Sequence, residues 1–301
     1  MENFEKNLQE IEGITFPIFF PEKHIREAFN YQPRSDDIFI ASYPKSGSHW
    51  TQYIIQLLRN KGEPCKYYED FKKCSLFIDL EGVKKADNLN NPRMLMTHFP
   101  YDKCPKNENT KYIYVLRNPK DVIVSYYYFL KGIIKDPLVL DSTFDLFLDG
   151  KLMYGDYFKY TKTWYEHRDD PNILILTYEE MKEELEKSIM KIAKFLNMEE
   201  ALKENPDIIE KVIKNCSVEE TKKVLKTNTS TISKEKGEAP IPEVLKEKSK
   251  ITIVRKGIVG DWKTHLNREQ EERLNQRAEK ELAGIDFYEY WKKLGIFQLS
   301  Q

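Results

Sequence analysis

The sequence reads Tyr43-Pro44-Lys45-Ser46-Gly47-Ser48-His49-Trp50 between a short apolar run and a segment with helical periodicity. The apolar run, residues 38–41, predicts a buried strand. Apolar side chains recur at positions 50, 53, 54, 57 and 58, which predicts an amphipathic helix after the stretch. A loop that enters a helix presents unpaired N–H groups and the positive end of the helix dipole. Both favour a phosphate, so we expect an anion site here, with Lys45 adding a mobile cation.

The loop differs from the Walker A pattern of ATP-binding proteins, in which lysine directly follows the second of two glycines. Here Lys45 precedes Gly47, the only glycine of the loop. An ordinary ATP site is therefore disfavoured. These residues alone are equally compatible with a plain strand–helix turn, in which Gly47 relieves backbone strain and Lys45 is solvated.

A second segment predicts another strand and helix. Alternating aromatic and β-branched residues over 112–116 predict the strand, and Asn118 and Pro119 are typical of a helix cap and a first helical position. Arg117 then leaves the strand end, while Ser125 lies on the helix. A guanidinium and a hydroxyl so spaced can bind one phosphate. Taken alone, an arginine at a strand end is more often part of a surface ion pair, and a serine on a helix more often bonds its own backbone.

A third segment, Arg255-Lys256-Gly257, can bind an anion, although alone it is typical of a polar turn. Taken together, the three segments resemble the cytosolic sulfotransferase family. That family has the patterns Y-P-K-S-G-T-x-W, R-N-P-K-D-x-x-x-S-Y-Y-x-F and R-K-G-x-x-G-D-W-K. This chain reads YPKSGSHW, RNPKDVIVSYYYF and RKGIVGDWK, in the same order. The similarity runs from about Ile14 to about Phe297 and so covers one whole enzyme domain.

The resemblance implies transfer of a sulfuryl group from 3′-phosphoadenosine 5′-phosphosulfate (PAPS) to a hydroxyl or amine of a small molecule. The other product is adenosine 3′,5′-bisphosphate. The positions that match donor-binding residues of the family are Lys45, Ser46, Gly47, Ser48, His49, Trp50, Arg117, Ser125, Tyr178, Thr227, Arg255, Lys256 and Gly257. Residues 228–250, rich in Ser, Thr, Lys, Glu and Pro, join two of these positions, and we interpret them as a mobile lid.

The reaction needs a base, and His98 follows an apolar strand at residues 93–97. Neutral imidazole has a pKa of about 6.5 and can accept a proton near working pH. The family pattern K-T-H-L-P implies that His98 is the catalytic histidine, and Lys45 would stabilise the leaving oxygen. A lone histidine at a strand end is more often structural, and the catalytic role is favoured here because the other motifs specify the same site. The sequence has no pair of histidines at ligand spacing and no Cys-x-x-Cys motif, so it predicts no metal site.

Three positions depart from the family pattern. Met96 stands where the family usually has lysine near the transferred sulfuryl group, and His49 replaces the second hydroxyl of the loop. The dimerisation signature K-x-x-x-T-V-x-x-x-E lacks its Thr-Val pair, because Asn267 and Arg268 occupy those positions. We therefore expect a monomer or an atypical homodimer.

Composition narrows the choice of partner and compartment. The 301 residues carry 48 Lys plus Arg against 49 Asp plus Glu, so no global basic field predicts binding to nucleic acid or to a membrane surface. Residues 1–6 lack the apolar core of a signal peptide, and no apolar run could span a bilayer. Four cysteines without a pairing pattern suit a reducing cytoplasm.

The fold class expected is α/β, as one domain over residues 1–301. Strands near 37–42, 93–97, 111–116 and 172–177, each followed by a helix or a loop, predict a central parallel sheet flanked by helices, with a P-loop-like phosphosulfate loop. Aromatic residues in segments that surround the acceptor in the resembling family suit a phenol, a steroid alcohol or an arylamine, although each is singly as typical of core. With His98 they are Phe16, Phe19, Phe20, Phe77, Phe129, Tyr154 and Tyr157. A nucleotide kinase and a non-catalytic nucleotide-binding protein remain alternatives.

Overall fold

A parallel sheet of five strands organises the chain. The computed structural model describes residues 6–133, 139–225 and 253–300. The strands are β1 (Leu8–Ile11), β2 (Ile14–Pro17), β3 (Ile38–Ala41), β4 (Ser75–Phe77), β5 (Met94–Thr97), β6 (Lys111–Leu116) and β7 (Ile173–Thr177). Strands β1 and β2 form a separate antiparallel hairpin, and the other five pair in parallel in the order β4-β5-β3-β6-β7. The parallel sheet predicted from the sequence is confirmed.

Helices cover the sheet between and after these strands. They are α1 (Glu22–Phe29), α2 (Ser48–Arg59), α3 (Tyr68–Lys72), α4 (Ile78–Glu81), α5 (Pro119–Ile133), α6 (Leu140–Leu148), α7 (Tyr157–Tyr165), α8 (Tyr178–Glu183), α9 (Leu185–Phe195), α10 (Glu199–Glu204), α11 (Asp207–Asn215), α12 (Val218–Val224), α13 (Arg268–Leu282) and α14 (Asp286–Lys293). Short 3-10 helices span Val83–Asn88, Tyr101–Lys103 and Asp261–Thr264. Among the helices so described, none is both long and apolar enough to cross a membrane.

Two apolar cores lie on the two faces of the sheet, as expected for a parallel sheet covered on both sides. Along β3, Phe39 packs into one core and Ile40 into the other, because successive side chains of a strand point to opposite faces. The core that contains Ile40 also holds Ile54 and Leu57 of α2. The helix after the Lys45 loop therefore packs on the face of the sheet to which Ile40 points.

The register brings the segments that follow three strands to one edge. Ile40 pairs with Met96 of β5 on one side and with Ile113 of β6 on the other. The carboxyl ends of β3, β5 and β6 therefore meet, which is where ligands bind in open α/β sheets. Local capping agrees with the sequence, since the Asn118 side chain accepts a 2.9 Å hydrogen bond from the Asp121 N–H at the start of α5.

The structure differs from the sequence-based expectations in three elements. Strand β4 and the β1–β2 hairpin were not predicted, since each strand has only three or four residues. Apolar residues at positions 181, 185, 189, 192 and 195 predict one amphipathic helix. The structure divides this segment between α8 and α9, because Glu184 leaves helical geometry at φ −125° and ψ 59°. Thr227 and the expected lid at 228–250 lie outside the described residues.

Candidate functional site

The Lys45 loop begins the site, and its backbone takes two left-handed conformations. Lys45 has φ 71° and Gly47 has φ 115°, and Gly47 caps the N-terminus of α2. A Cβ at Gly47 would lie 2.9 Å from Cδ2 of Tyr178, so no other residue fits there without displacing that ring. A left-handed lysine is a strained feature of the kind that clusters at ligand sites.

Cationic side chains converge on this loop. Burial, followed by the charges of Arg117 and Arg255, lowers the pKa of Lys45 to about 8. Arg117 also donates to the backbone carbonyl of Lys45 (3.4 Å) and to that of Ile258 (2.9 Å). The Nε atoms of Arg117 and Arg255 are buried and have no hydrogen-bond partner among the described residues. Like charges with unused donors fit a bound polyanion, which would relieve their repulsion.

Asp121 of the second motif accepts a 2.9 Å hydrogen bond from the Gly260 N–H of the third, and Asp261 holds the cations of the third motif. Asp261 pairs with both Arg255 and Lys256, and its Oδ1 is 2.6 Å from Lys256 Nζ. Although burial opposes it, hydrogen bonds from Lys256 and Arg255 keep the pKa of Asp261 below its ordinary value. Gly257 has φ 67°, and a Cβ there would lie 2.5 Å from Cγ2 of Val218, so this turn also requires glycine. The basic loop is thereby held against α12.

His98 is fixed in one tautomer. Its Nδ1 lies 2.6 Å from the carbonyl oxygen of Ser42, which can only accept, so Nδ1 carries the proton and Nε2 keeps its lone pair. The imidazole stands between the rings of Phe77 and Tyr154, at centroid distances of 5.1 and 5.2 Å. Burial is the largest influence on its pKa, and with the charge of Lys45 it outweighs the Ser42 hydrogen bond and lowers the value to about 4. The ring is therefore neutral near pH 7.

Asp79 is a residue of this site that the sequence motifs did not reveal. Its Oδ2 accepts hydrogen bonds from the His98 N–H (2.9 Å) and from the Tyr154 hydroxyl (3.0 Å). The carboxyl group is fully buried, Oδ1 has no partner among the described residues, and burial raises the pKa to about 7. The signal that could have identified it is register, since Phe77 pairs with Met96, two residues before His98.

The rest of the Lys45 loop surrounds the start of α2. Ser46 is buried with its Oγ unpartnered among the described residues, and Ser48 opens the helix. Trp50 donates to the Cys216 carbonyl (2.8 Å), and its ring lies 5.5 Å from that of Tyr178. The guanidinium of Arg117 stacks on the ring of Tyr178, 4.4 Å from the ring centroid. An aromatic wall thus borders the cations.

His49 is the second residue of α2 and is partly exposed. Burial, followed by the charges of Lys45 and His98, lowers its pKa to about 3. It therefore carries no charge near pH 7. Ser125, on the second turn of α5, is also partly exposed. Among the residues that the structure describes, no group of three His, Cys, Asp or Glu side chains could hold a metal ion.

Most of the predicted acceptor-pocket residues lie near His98. Phe16 contacts Tyr154 at 5.3 Å, Phe20 contacts Phe77 at 5.8 Å, and Phe19 contacts Phe20 at 5.2 Å between centroids. Phe129 instead lies beside the Lys45 loop, with its ring centroid 4.5 Å from Lys45 Nζ.

Tyr157 differs from this group. It is fully buried, packs 5.3 Å from the ring of Tyr43 and donates to the Arg117 carbonyl (2.6 Å). Its hydroxyl is used to hold the backbone of the cation cluster. Tyr157 packs in the same core cluster as Phe16, and its role as an acceptor contact stays a prediction.

Known proteins share this architecture. A family model described as "Sulfotransferase domain" matches residues 35–286. Sulfotransferase 1E1 of Bos taurus is 34% identical over 278 residues, covering 88% of this chain and 89% of the relative. Amine sulfotransferase of Oryctolagus cuniculus is 32% identical over 300 residues, covering 97% and 96%. A crystal structure of mouse sulfotransferase SULT7A1 complexed with PAP superposes with a TM-score of 0.75 at 26% identity, covering 96% of this chain and 99% of that one.

These similarities agree with the cation cluster and aromatic wall at the carboxyl edge of the sheet. PAP is adenosine 3′,5′-bisphosphate, the nucleotide left when PAPS gives up its sulfuryl group. The nucleotide-kinase and non-catalytic alternatives are therefore not retained. The chain belongs to the sulfotransferase family and is an enzyme that transfers a sulfuryl group from PAPS.

Proposed function

We propose that this enzyme sulfates a hydroxyl group of a small apolar or aromatic acceptor, or an amine, with His98 as the base. The observation that carries the proposal is the contact between His98 Nδ1 and the Ser42 carbonyl, at 2.6 Å. It leaves the Nε2 lone pair free to take the acceptor's proton as the acceptor attacks sulfur. The low pKa of His98 supports this role, because the ring is already in its neutral form near pH 7.

We propose that Lys45, Arg117, Arg255 and Lys256 hold the phosphates of the donor, with the loop N–H groups. The donor supplies an activated sulfuryl group, and positive charge is needed at the oxygen that leaves. Lys45 is the cation best suited to that oxygen, since it belongs to the loop at the N-terminus of α2. Adenine would pack between Trp50 and its neighbours, and Thr227 remains a predicted donor contact outside the described residues.

The acceptor class is argued from the rings around His98. Phe77 and Tyr154 flank the imidazole, and Phe16 and Phe20 stand behind them. Such a wall favours a flat apolar molecule. An amine is retained as an acceptor because one relative carries the name amine sulfotransferase. A panel of phenols, steroid alcohols and arylamines, assayed with PAPS, would identify the class.

Two substitutions test the roles of the base and the cation. His98→Ala should abolish most turnover and leave affinity for adenosine 3′,5′-bisphosphate nearly intact, because the base contacts the acceptor. Lys45→Ala should reduce both, since its charge acts on the bound nucleotide and on the leaving oxygen. His167→Ala, which removes an imidazole outside the site, is the matched control. Wild-type kcat in the His98→Ala enzyme would overturn the proposal.

We also propose a cytoplasmic enzyme that does not bind nucleic acid. The support is a formal net charge of −1 and four cysteines that are all buried and free. Fractionation of the source cells and a nucleic-acid gel-shift assay would test these two statements. A stable complex with DNA or RNA at physiological salt would contradict the second.

A further inference from the structure

Three nitrogen-bearing side chains belong to segments that meet at the carboxyl ends of β3 and β5. They are Lys45, His49 and His98. The charges of Lys45 and His98 lower the pKa of His49, and the charge of Lys45 lowers the pKa of His98. Lys45 Nζ, both ring nitrogens of His49 and Nε2 of His98 have no hydrogen-bond partner among the described residues. None of these atoms is among the buried polar atoms that lack a partner, so each keeps some accessible surface.

His49 lies on the same face of the sheet as Met96. Met96 pairs with Ile40, and paired residues of parallel strands share a face. Ile40 and Met94 pack in the core that holds α2, and Met96 follows Met94 by two residues. The carboxyl end of that face therefore carries Met96 on the strand and His49 on the first turn of the helix above it.

The resembling family usually has a lysine at position 96, and the second hydroxyl of its loop falls at position 49. This chain has an apolar side chain at the first position and a nitrogen donor at the second. Met96 is buried and cannot donate a hydrogen bond. The two departures are on one face and at one edge, so the second can compensate for the first.

We propose that His49 donates an N–H hydrogen bond to a sulfuryl oxygen of PAPS, replacing the contact that a lysine at position 96 would make. The inference rests on the proposed function, in which Lys45 serves the donor and His98 the acceptor. His49 keeps its proton throughout. The S–O bond to the nucleotide breaks, the bond from sulfur to the acceptor forms, and His98 takes the acceptor's proton.

A neutral donor suits this position better than a second cation. The charged or titratable groups that face His49 are Lys45 of the loop, His98 after β5 and Lys72 of α3. All three would carry positive charge when protonated, and none would stabilise an imidazolium. A neutral imidazole still has one N–H to donate. Two neighbouring cations would repel each other, whereas a cation and a neutral donor can act on adjacent oxygens.

Binding measurements separate this role from general packing. Calorimetry would compare adenosine 3′,5′-bisphosphate, which lacks the sulfuryl group, with PAPS in the absence of acceptor. We expect His49→Ala to weaken PAPS binding about tenfold and to leave bisphosphate binding within about twofold, since only PAPS offers the sulfuryl oxygens. His49→Gln should recover part of the difference, because its amide donates an N–H but is not a base. His167→Ala is again the matched control.

Turnover gives an independent test. His49→Ala should lower kcat roughly ten- to hundredfold, as for the loss of one donor to a developing charge. The double substitution His49→Thr with Met96→Lys restores the family pairing and should have a higher kcat than either single variant. If the losses in kcat of the two single variants added up in the double variant, His49 would not replace a lysine at position 96.

Two further results would overturn the proposal. Equal loss of PAPS and bisphosphate affinity in His49→Ala would assign His49 to the phosphates or to packing. Loss of turnover in His49→Gln as severe as in His49→Ala, with wild-type kcat in His98→Ala, would make His49 the base. That second result would also refute the proposed function, whereas the first would leave it standing.

Discussion

Asp79 is a fully buried carboxyl group that binds the backbone of His98 and the hydroxyl of Tyr154 through one oxygen. Burial raises its pKa from an ordinary value near 3.8 to about 7. A carboxyl group whose pKa is raised by folding stabilises the folded state below its unfolded pKa, and that contribution is lost as pH rises toward 7. The Asp79 carboxyl group therefore lowers the free energy of unfolding at neutral pH, which suggests a functional rather than a stabilising role.

We predict that Asp79→Asn removes this dependence on pH. The difference in unfolding free energy between the variant and the wild type should shift by a few kcal/mol in favour of asparagine between about pH 4 and pH 7. Asparagine keeps an oxygen that can accept from His98 and Tyr154, so kcat should fall much less than in Asp79→Ala. Chemical denaturation at several pH values is the measurement. A difference that is independent of pH would contradict the raised pKa.

Lys45 allows a second prediction at the level of one residue. Its pKa of about 8 in the protein means that it is only partly protonated at pH 8. Bound phosphates favour the charged ammonium and should raise this pKa, so nucleotide binding at pH 8 should take up about half a proton. Calorimetry with adenosine 3′,5′-bisphosphate in buffers of different ionisation enthalpy would measure the uptake. Lys45→Met should abolish it, and the exposed control Lys159→Met should not.

At the scale of elements, helix α5 and the 3-10 helix at Asp261–Thr264 are held together by Asp121. Its carboxylate accepts from the Gly260 N–H at 2.9 Å and from the Trp262 N–H at 3.3 Å. The same group accepts from the Asn118 side chain at 2.9 Å. Two motifs about 140 positions apart in sequence are thereby held side by side.

We predict that Asp121→Asn weakens both folding and nucleotide binding. The NH₂ group of asparagine would face one of the two N–H groups that donate to Asp121, so donor would meet donor. Each buried donor left unpaired costs about 1–3 kcal/mol of unfolding free energy. Affinity for adenosine 3′,5′-bisphosphate should fall because Arg255 and Lys256 lose their anchor. Asp149→Asn, at an exposed aspartate that pairs with Lys151, is the matched control. Equal stability of the two variants would show that Asp121 does not join these elements.

Strands β3, β5, β6 and β7 were predictable because each is an apolar run bounded by turn residues, and each prediction is within one residue of the observed ends. Strand β4 has only three residues, too few to carry a periodic pattern. Missing β4 also hid Asp79, whose position opposite His98 follows from the pairing of β4 with β5. The contacts of Asp121 with the chain at Gly260 could not be predicted either, since they depend on tertiary packing alone.

At the scale of the whole molecule, residues 263–272 bear on whether two copies of the chain form a dimer. The expectation of one domain over residues 1–301 remains a prediction, as does the oligomeric state. In the region of the family's dimer signature, Asn267 caps helix α13 by accepting from the Gln270 N–H at 2.9 Å. The next residue, Arg268, has a side chain that is 76% exposed and pairs with Glu272 at 3.1 Å.

We predict that the enzyme is a monomer of 35.8 kDa, or a dimer that uses another surface. Burying Arg268 against its own copy would desolvate two like charges, and the cost of such burial exceeds what a small interface returns. Light scattering would give the mass, and cross-linking at cysteines introduced between residues 263 and 272 would locate any contact. Arg268→Val removes the charge and should favour association through this segment, while Arg273→Val, five residues further along α13, is the control. A wild-type dimer that cross-links through residues 263–272 would mean that Arg268 finds a partner across the interface, and the desolvation argument would then fail.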